Sequence, residues 1–253
     1  MYVKNEELTI HFETFDSNRD APFLVLIFGF SMTLRDWIDF GYIEILRNQF
    51  KVIAVEPRGH GESSSPHDPD SYRLELMASD IQAVLDYLNI SHAIIWGYSL
   101  GAKISLSMAE SSAGRIKGMI LGGLELHSKV DLSKDIVTDT LKLGGTAWRN
   151  LLQQQFDMPQ STAERFTCVN TKALLSLRQA EKDWPSMRDI PSQVRVPVLL
   201  YTGEHCYCRD EMKRMSRLFP NSRFFEKKDA NHFQVMTAVK WICDKVIAYF
   251  SSR

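Results

Sequence analysis

The chain has 253 residues, 44% of them hydrophobic and 24% charged, the balance of an ordinary globular domain. Lys and Arg total 30 against 31 Asp and Glu, so no basic excess exists to neutralise phosphates, and no nucleic-acid partner is expected. The longest apolar stretch, Phe23–Phe28, is far shorter than the ~20 residues a membrane helix needs, which argues against a membrane protein.

Taken in chain order, short apolar runs alternate with helical patterns. Leu8–Phe15 alternates like a half-exposed strand and is expected at the antiparallel edge of a sheet. Phe23–Phe28 and Lys51–Val55 read as buried strands. Leu74–Leu88 sets Leu76, Ile81, Val84, Leu85 and Leu88 on one helical face. Ala93–Trp96 is a strand, Ala102–Ala109 a helix of small residues, and Gly118–Leu121 another strand. From His127 to Asp189 no strand-like run occurs, only helical patterns at Leu132–Leu143, Ala147–Phe156, Ala163–Cys168 and Lys172–Ala180. The alternation then resumes with Val198–Tyr201, Phe224–Glu226 and a helix at Thr237–Phe250. The pattern predicts an α/β fold, a mostly parallel sheet flanked by helices. Residues 1–126 and 190–253 would form its core, and 127–189 a helical insertion.

The first residues show no apolar run behind a basic start, so no secretory signal is visible and a cytoplasmic location is expected. The cysteines, Cys168, Cys206, Cys208 and Cys243, form no C-x-x-C, and the close pair Cys206/Cys208 has no His-x₃-His partner along the chain. Free thiols, no metal and no cofactor are expected.

The strongest local signal is Gly97-Tyr98-Ser99-Leu100-Gly101. It is a G-x-S-x-G directly after an apolar strand and at the start of a helix, the context of a nucleophile elbow. A serine there needs a tight strand-to-helix turn, and the helix that follows aims its first N–H groups at the reacting centre. Ser99 is thus the expected nucleophile. An alcohol is a weak nucleophile near neutral pH and needs a base such as imidazole. Asp229-Ala230-Asn231-His232-Phe233 supplies one in a loop between a late strand and the final helix. His11, His67, His92 and His127 are read as structural or surface residues.

With these motifs the chain resembles the α/β-hydrolase family over nearly its whole length. The segment Glu56-Pro57-Arg58-Gly59-His60-Gly61-Glu62-Ser63 resembles that family's D-x-R-G-x-G-x-S loop, whose role is architectural. The resemblance implies a cap made from the helical insertion, the chain order nucleophile–acid–histidine, and His232 as the catalytic base. It also implies backbone N–H groups of Phe30 and Leu100 as the oxyanion hole.

Two positions depart from the family. Where the resemblance implies an Asp after Val198–Tyr201, the chain reads Gly203-Glu204-His205-Cys206. A neutral thiol at Cys206 is a poor partner for an imidazolium, and burial without an adjacent cation opposes its ionisation. The acid is therefore sought at Glu125, after the strand ending at Leu121, or at Asp210 or Glu204, or is absent. Phe28 replaces the family's histidine before the oxyanion loop, so Phe28 and Tyr98 are expected to wall an apolar pocket, with Trp148 and Trp184 contributed by the insertion. The reading that follows is a cofactor-free serine hydrolase acting on a small, mainly apolar ester, thioester or lactone. A non-hydrolytic biosynthetic enzyme (cyclase, lyase or isomerase) and a low-turnover ligand-binding or signalling protein are the alternatives.

Overall fold

The computed structural model of the protein describes residues 1–16, 20–126 and 131–250. Within them, eight strands form one sheet: β1 (Tyr2–Asn5), β2 (Leu8–Phe15), β3 (Phe23–Ile27), β4 (Lys51–Glu56), β5 (Ala93–Tyr98), β6 (Ile116–Gly122), β7 (Val198–Gly203) and β8 (Ser222–Lys227). Their order is β1-β2-β4-β3-β5-β6-β7-β8. The β1–β2 and β2–β4 pairs are antiparallel, and every pair from β4 to β8 is parallel. The α/β fold class is as expected. The edge is not: β1, too short and too polar to announce itself, covers β2, which lies one strand inside.

The central strands are buried on both faces. Val25 and Ile27 of β3 join the cluster containing the helices Leu74–Tyr87 and Leu100–Ser111. Leu24 and Leu26 join the opposite cluster, which contains the helix Val239–Phe250. Such two-sided burial explains why these strands read as continuous apolar runs rather than alternating ones. Between β6 and β7 the described residues form four α-helices, Ile136–Lys142, Gly145–Gln153, Gln160–Thr167 and Thr171–Glu181, a short 3₁₀ helix, Pro191–Gln193, and no strand. No helix of the described residues is long and apolar enough to cross a membrane.

The connection after β4 is braced electrostatically. Arg58 and Asp80 pair through two hydrogen bonds of 2.7 and 2.8 Å, both side chains being almost fully buried. Glu56 accepts from the backbone of Leu34 (3.0 Å) and Glu62 (2.7 Å), and contacts His11 at 2.9 Å. Its carboxylate is thus consumed by loop architecture, as is His11.

From β3 the chain passes to β4 on one side, then to β5 on the other. That reversal opens a crevice beyond the carboxyl ends of β3 and β5, where parallel α/β sheets bind ligands.

Candidate functional site

Ser99 sits at this reversal, between β5 and the helix Leu100–Ser111, with φ +52° and ψ −111°. A non-glycine residue there costs about 1–3 kcal/mol and persists only where its surroundings enforce it. Its N–H donates to the Gly122 carbonyl at 2.8 Å, fixing the turn to β6. The flanking glycines are required by close approach: a Cβ on Gly97 would lie 2.1 Å from the Gly101 carbonyl oxygen, and one on Gly101 2.0 Å from that of Ile27.

His232 Nε2 lies 3.2 Å from Ser99 Oγ. Its loop is held by Asn231, whose side-chain oxygen accepts from the backbone of Phe233 (2.9 Å) and Gln234 (2.8 Å), and by the Tyr98 hydroxyl, which donates to the His232 carbonyl. The other ring nitrogen, Nδ1, lies 3.2 Å from Cys206 Sγ. Cys206 in turn lies 3.1 Å from Cys208 Sγ, and Thr202 Oγ1 is 3.8 Å beyond. Burial pushes a thiol up, but here the Cys208 hydrogen bond, followed by the His232 ring, pulls Cys206 well below the usual thiol range. Cys208, donating to that charge and buried, is pushed up. The two shifts run in opposite directions, so the thiolate form is favoured at Cys206, the sulfur facing histidine, over Cys208.

The expectation that Cys206 lacks support for a thiolate therefore changes: the second thiol supplies it. Glu125 borders the same cavity, where burial raises its carboxyl above the usual range, but the structure gives His232 Nδ1 to Cys206. Asp210 binds Arg209 at 3.2 Å, and Glu204 accepts from the Asp229 backbone at 3.0 Å.

The cavity before Ser99 has a volume of about 550 Å³. One wall is apolar, with Phe30, Met32, Val137, Trp148, Leu152 and Met236. Phe30 and Leu100 flank Ser99 there, and Leu100 opens a helix, so its N–H has no helical acceptor. Next to Phe30, Ser31 adopts φ +63° and accepts from Trp148 Nε1 at 2.8 Å. Charged groups line the same cavity, and the Arg178 guanidinium lies over the Phe30 ring, 6.0 Å from its centroid. Lys103 binds Glu181 at 2.7 Å, Arg178 binds Asp135 at 3.0 Å, and Arg178 also pairs with Glu181. Burial raises Glu181, but Lys103 and Arg178 outweigh it and hold the carboxyl low.

Of the residues expected to line the pocket, Tyr98 and Trp148 do so. Phe28 does not: it is 4% exposed and stacks on Trp37, ring centroids 4.0 Å apart, filling the core behind the loop. Trp184 also lies outside the cavity lining, donating to the Tyr72 carbonyl at 2.9 Å. His127 lies outside the described residues. Sequence reasoning missed Cys208, Tyr207, Lys103, Arg178 and Glu181. Only Lys103, a cation among small residues two positions after the motif, left a visible signal.

A sequence profile of the alpha/beta hydrolase fold matches residues 22–182. Epoxide hydrolase 4 of Mus musculus is 28% identical over 107 residues, spanning 42% of this chain and 29% of that protein's length. A putative 2-succinyl-6-hydroxy-2,4-cyclohexadiene-1-carboxylate synthase of Bacillus subtilis is 24% identical over 235 residues, 83% of each chain. Among solved structures, the enol-lactonase from Burkholderia xenovorans LB400 superposes with a TM-score of 0.87 at 19% identity, covering 99% of this chain and 100% of that one. With the profile spanning more than half its length, the chain belongs to the alpha/beta hydrolase fold family.

Proposed function

We propose that the protein is a serine hydrolase that cleaves a small, mainly apolar ester, thioester or lactone through Ser99, His232 and Cys206. The observation that carries this reading is the unbroken relay from Ser99 Oγ through both ring nitrogens of His232 to Cys206 Sγ, 3.2 Å at each contact. With Nδ1–H donated to the thiolate, Nε2 keeps a lone pair for the serine proton. Oγ attacks the carbonyl carbon as that proton passes to Nε2. The oxyanion forms beside the N–H groups of Phe30 and Leu100, His232 returns the proton to the leaving group, and water then releases the acyl group.

Residues 127–189 act in this reading as a cap over a core of 1–126 and 190–253, and Trp148 and Leu152 give the pocket its apolar wall. The charged groups Lys103, Arg178 and Glu181 in the lining suit a polar group on the substrate. No cofactor enters the chemistry, and the substrate is the partner. The lactonase activity in the name of a structural neighbour agrees with this class. The synthase named among the relatives supports a second reading, a non-hydrolytic reaction on the same residues. A product of unchanged mass would identify it.

The test is intact-mass analysis after exposure to a fluorophosphonate, on the wild type, Ser99→Ala and His232→Ala. One adduct per chain that is absent from both variants is the expected result. No adduct on the folded wild type would overturn the activated serine.

A further inference from the structure

We propose that Cys206 Sγ, Cys208 Sγ and His232 Nδ1 form a binding site for a thiophilic divalent cation of the zinc type, and that its occupation switches the catalytic site off. The three ligand atoms come from two loops and lie within 4.8 Å of one another in a buried cluster. Two thiolates and an imidazole are a donor set that tetrahedral zinc accepts, with the fourth position left to water. A tetrahedral site with zinc–sulfur bonds of ~2.3 Å and zinc–nitrogen bonds of ~2.0 Å separates two sulfurs by about 3.8 Å and sulfur from nitrogen by about 3.6 Å. The observed 3.1 and 3.2 Å contacts would lengthen by about 0.7 and 0.4 Å to reach these values, and the third pair, Cys208 Sγ and His232 Nδ1, lies within 4.8 Å. The spacing along the chain hides this set, because the histidine arrives from the loop after β8. Tyr207, between the two cysteines, lines the cavity and packs on the His232 ring, 4.8 Å between centroids.

The consequence for chemistry follows from the imidazole itself. Zinc would bind both sulfurs and Nδ1; the Cys208 thiol proton leaves to solvent, and the proton held at Nδ1 is relocated to Nε2. A neutral ring ligated at Nδ1 carries its proton on Nε2. Nε2 then faces Ser99 as a donor and can no longer accept the serine proton. This half of the proposal rests on the hydrolase reading; binding of the ion does not.

The experiment uses the full chain carrying Cys168→Ser, which removes the exposed thiol, kept reduced with a phosphine. Cd²⁺ titration is followed by the ultraviolet thiolate-to-cadmium charge-transfer band, then Zn²⁺ is added as competitor. The expected result is a band saturating at one equivalent and displaced by Zn²⁺. Affinity should fall at least about a hundredfold in Cys208→Ala and in His232→Ala, beyond what loss of an outer-shell contact costs. Ester hydrolysis should fall in proportion to occupancy and return on chelation. A band that never saturates, or one unchanged in both variants, overturns the site. Full occupancy with undiminished turnover overturns the switch. If Ser99 takes no fluorophosphonate, the band and its loss in the variants still decide the metal site, so the two failures separate.

Discussion

Replacing Cys206 by Ser keeps the size and a hydrogen-bonding atom but removes the charge opposite His232. In the proposed mechanism that charge matters when the ring becomes an imidazolium. At the 3.2 Å separation and an effective dielectric of ~20, Coulomb's law gives about 5 kcal/mol for the pair. At 1.36 kcal/mol per decade this corresponds to a loss approaching ~10⁴-fold in kcat, similar to the cost of neutralising the acid in the serine-protease template. Relaxation and water entry reduce it, so a fall of about 10²–10⁴-fold is expected. Cys206→Asp restores an anion and should stay within about tenfold of the wild type, which separates charge from packing. The assay is hydrolysis of short p-nitrophenyl esters, paired with fluorophosphonate labelling rates on proteins of equal thermal stability. Cys206→Ser within about threefold of the wild type would refute an electrostatic role for the thiolate.

Glu125→Gln should change kcat by no more than about threefold on neutral esters, against the ~10⁴-fold loss expected of a triad acid; steady-state kinetics decides. Gly101→Ala should destabilise by about 3 kcal/mol or more, a melting-point fall of roughly 5–10 °C, because its Cβ meets backbone and not a movable side chain. His60 is buried with Nε2 unpartnered, and burial lowers it from 6.5 to about 4. The folded state therefore binds its proton less readily than the unfolded chain. Stability should decline as pH falls from about 6.5 to about 4, by about 3 kcal/mol in all. Denaturant unfolding of wild type and His60→Leu across that range should show a shallower decline in the variant, and parallel curves would remove His60 as the cause.

The sheet was legible because its inner strands are buried on both faces and so appear as unbroken apolar runs, Phe23–Ile27 and Val198–Tyr201 among them. Its edge was not, because the four residues of β1 alternate half-buried and exposed and carry no apolar stretch. Ser99 and His232 were readable from local turn chemistry, since a serine elbow and a loop histidine each leave a short signature. The support for Cys206 was invisible in principle. A thiol's ionisation depends on which groups the fold sets around it, and sequence gave no reason to aim Cys208 at its neighbour's sulfur rather than at solvent. Phe28 was misassigned for a related reason: an aromatic side chain beside a pocket-forming loop can face the cavity or the core, and only the stacking on Trp37 decides.

The hydrogen bond from Trp148 to Ser31 ties a helix between β6 and β7 to the left-handed turn that presents the Phe30 N–H. An outward displacement of that helix would break the bond and remove the brace from a strained turn. In the proposed mechanism, pocket wall and oxyanion donor are therefore held by one shared contact, so a change in the helix that carries Trp148 would be felt at the Phe30 N–H.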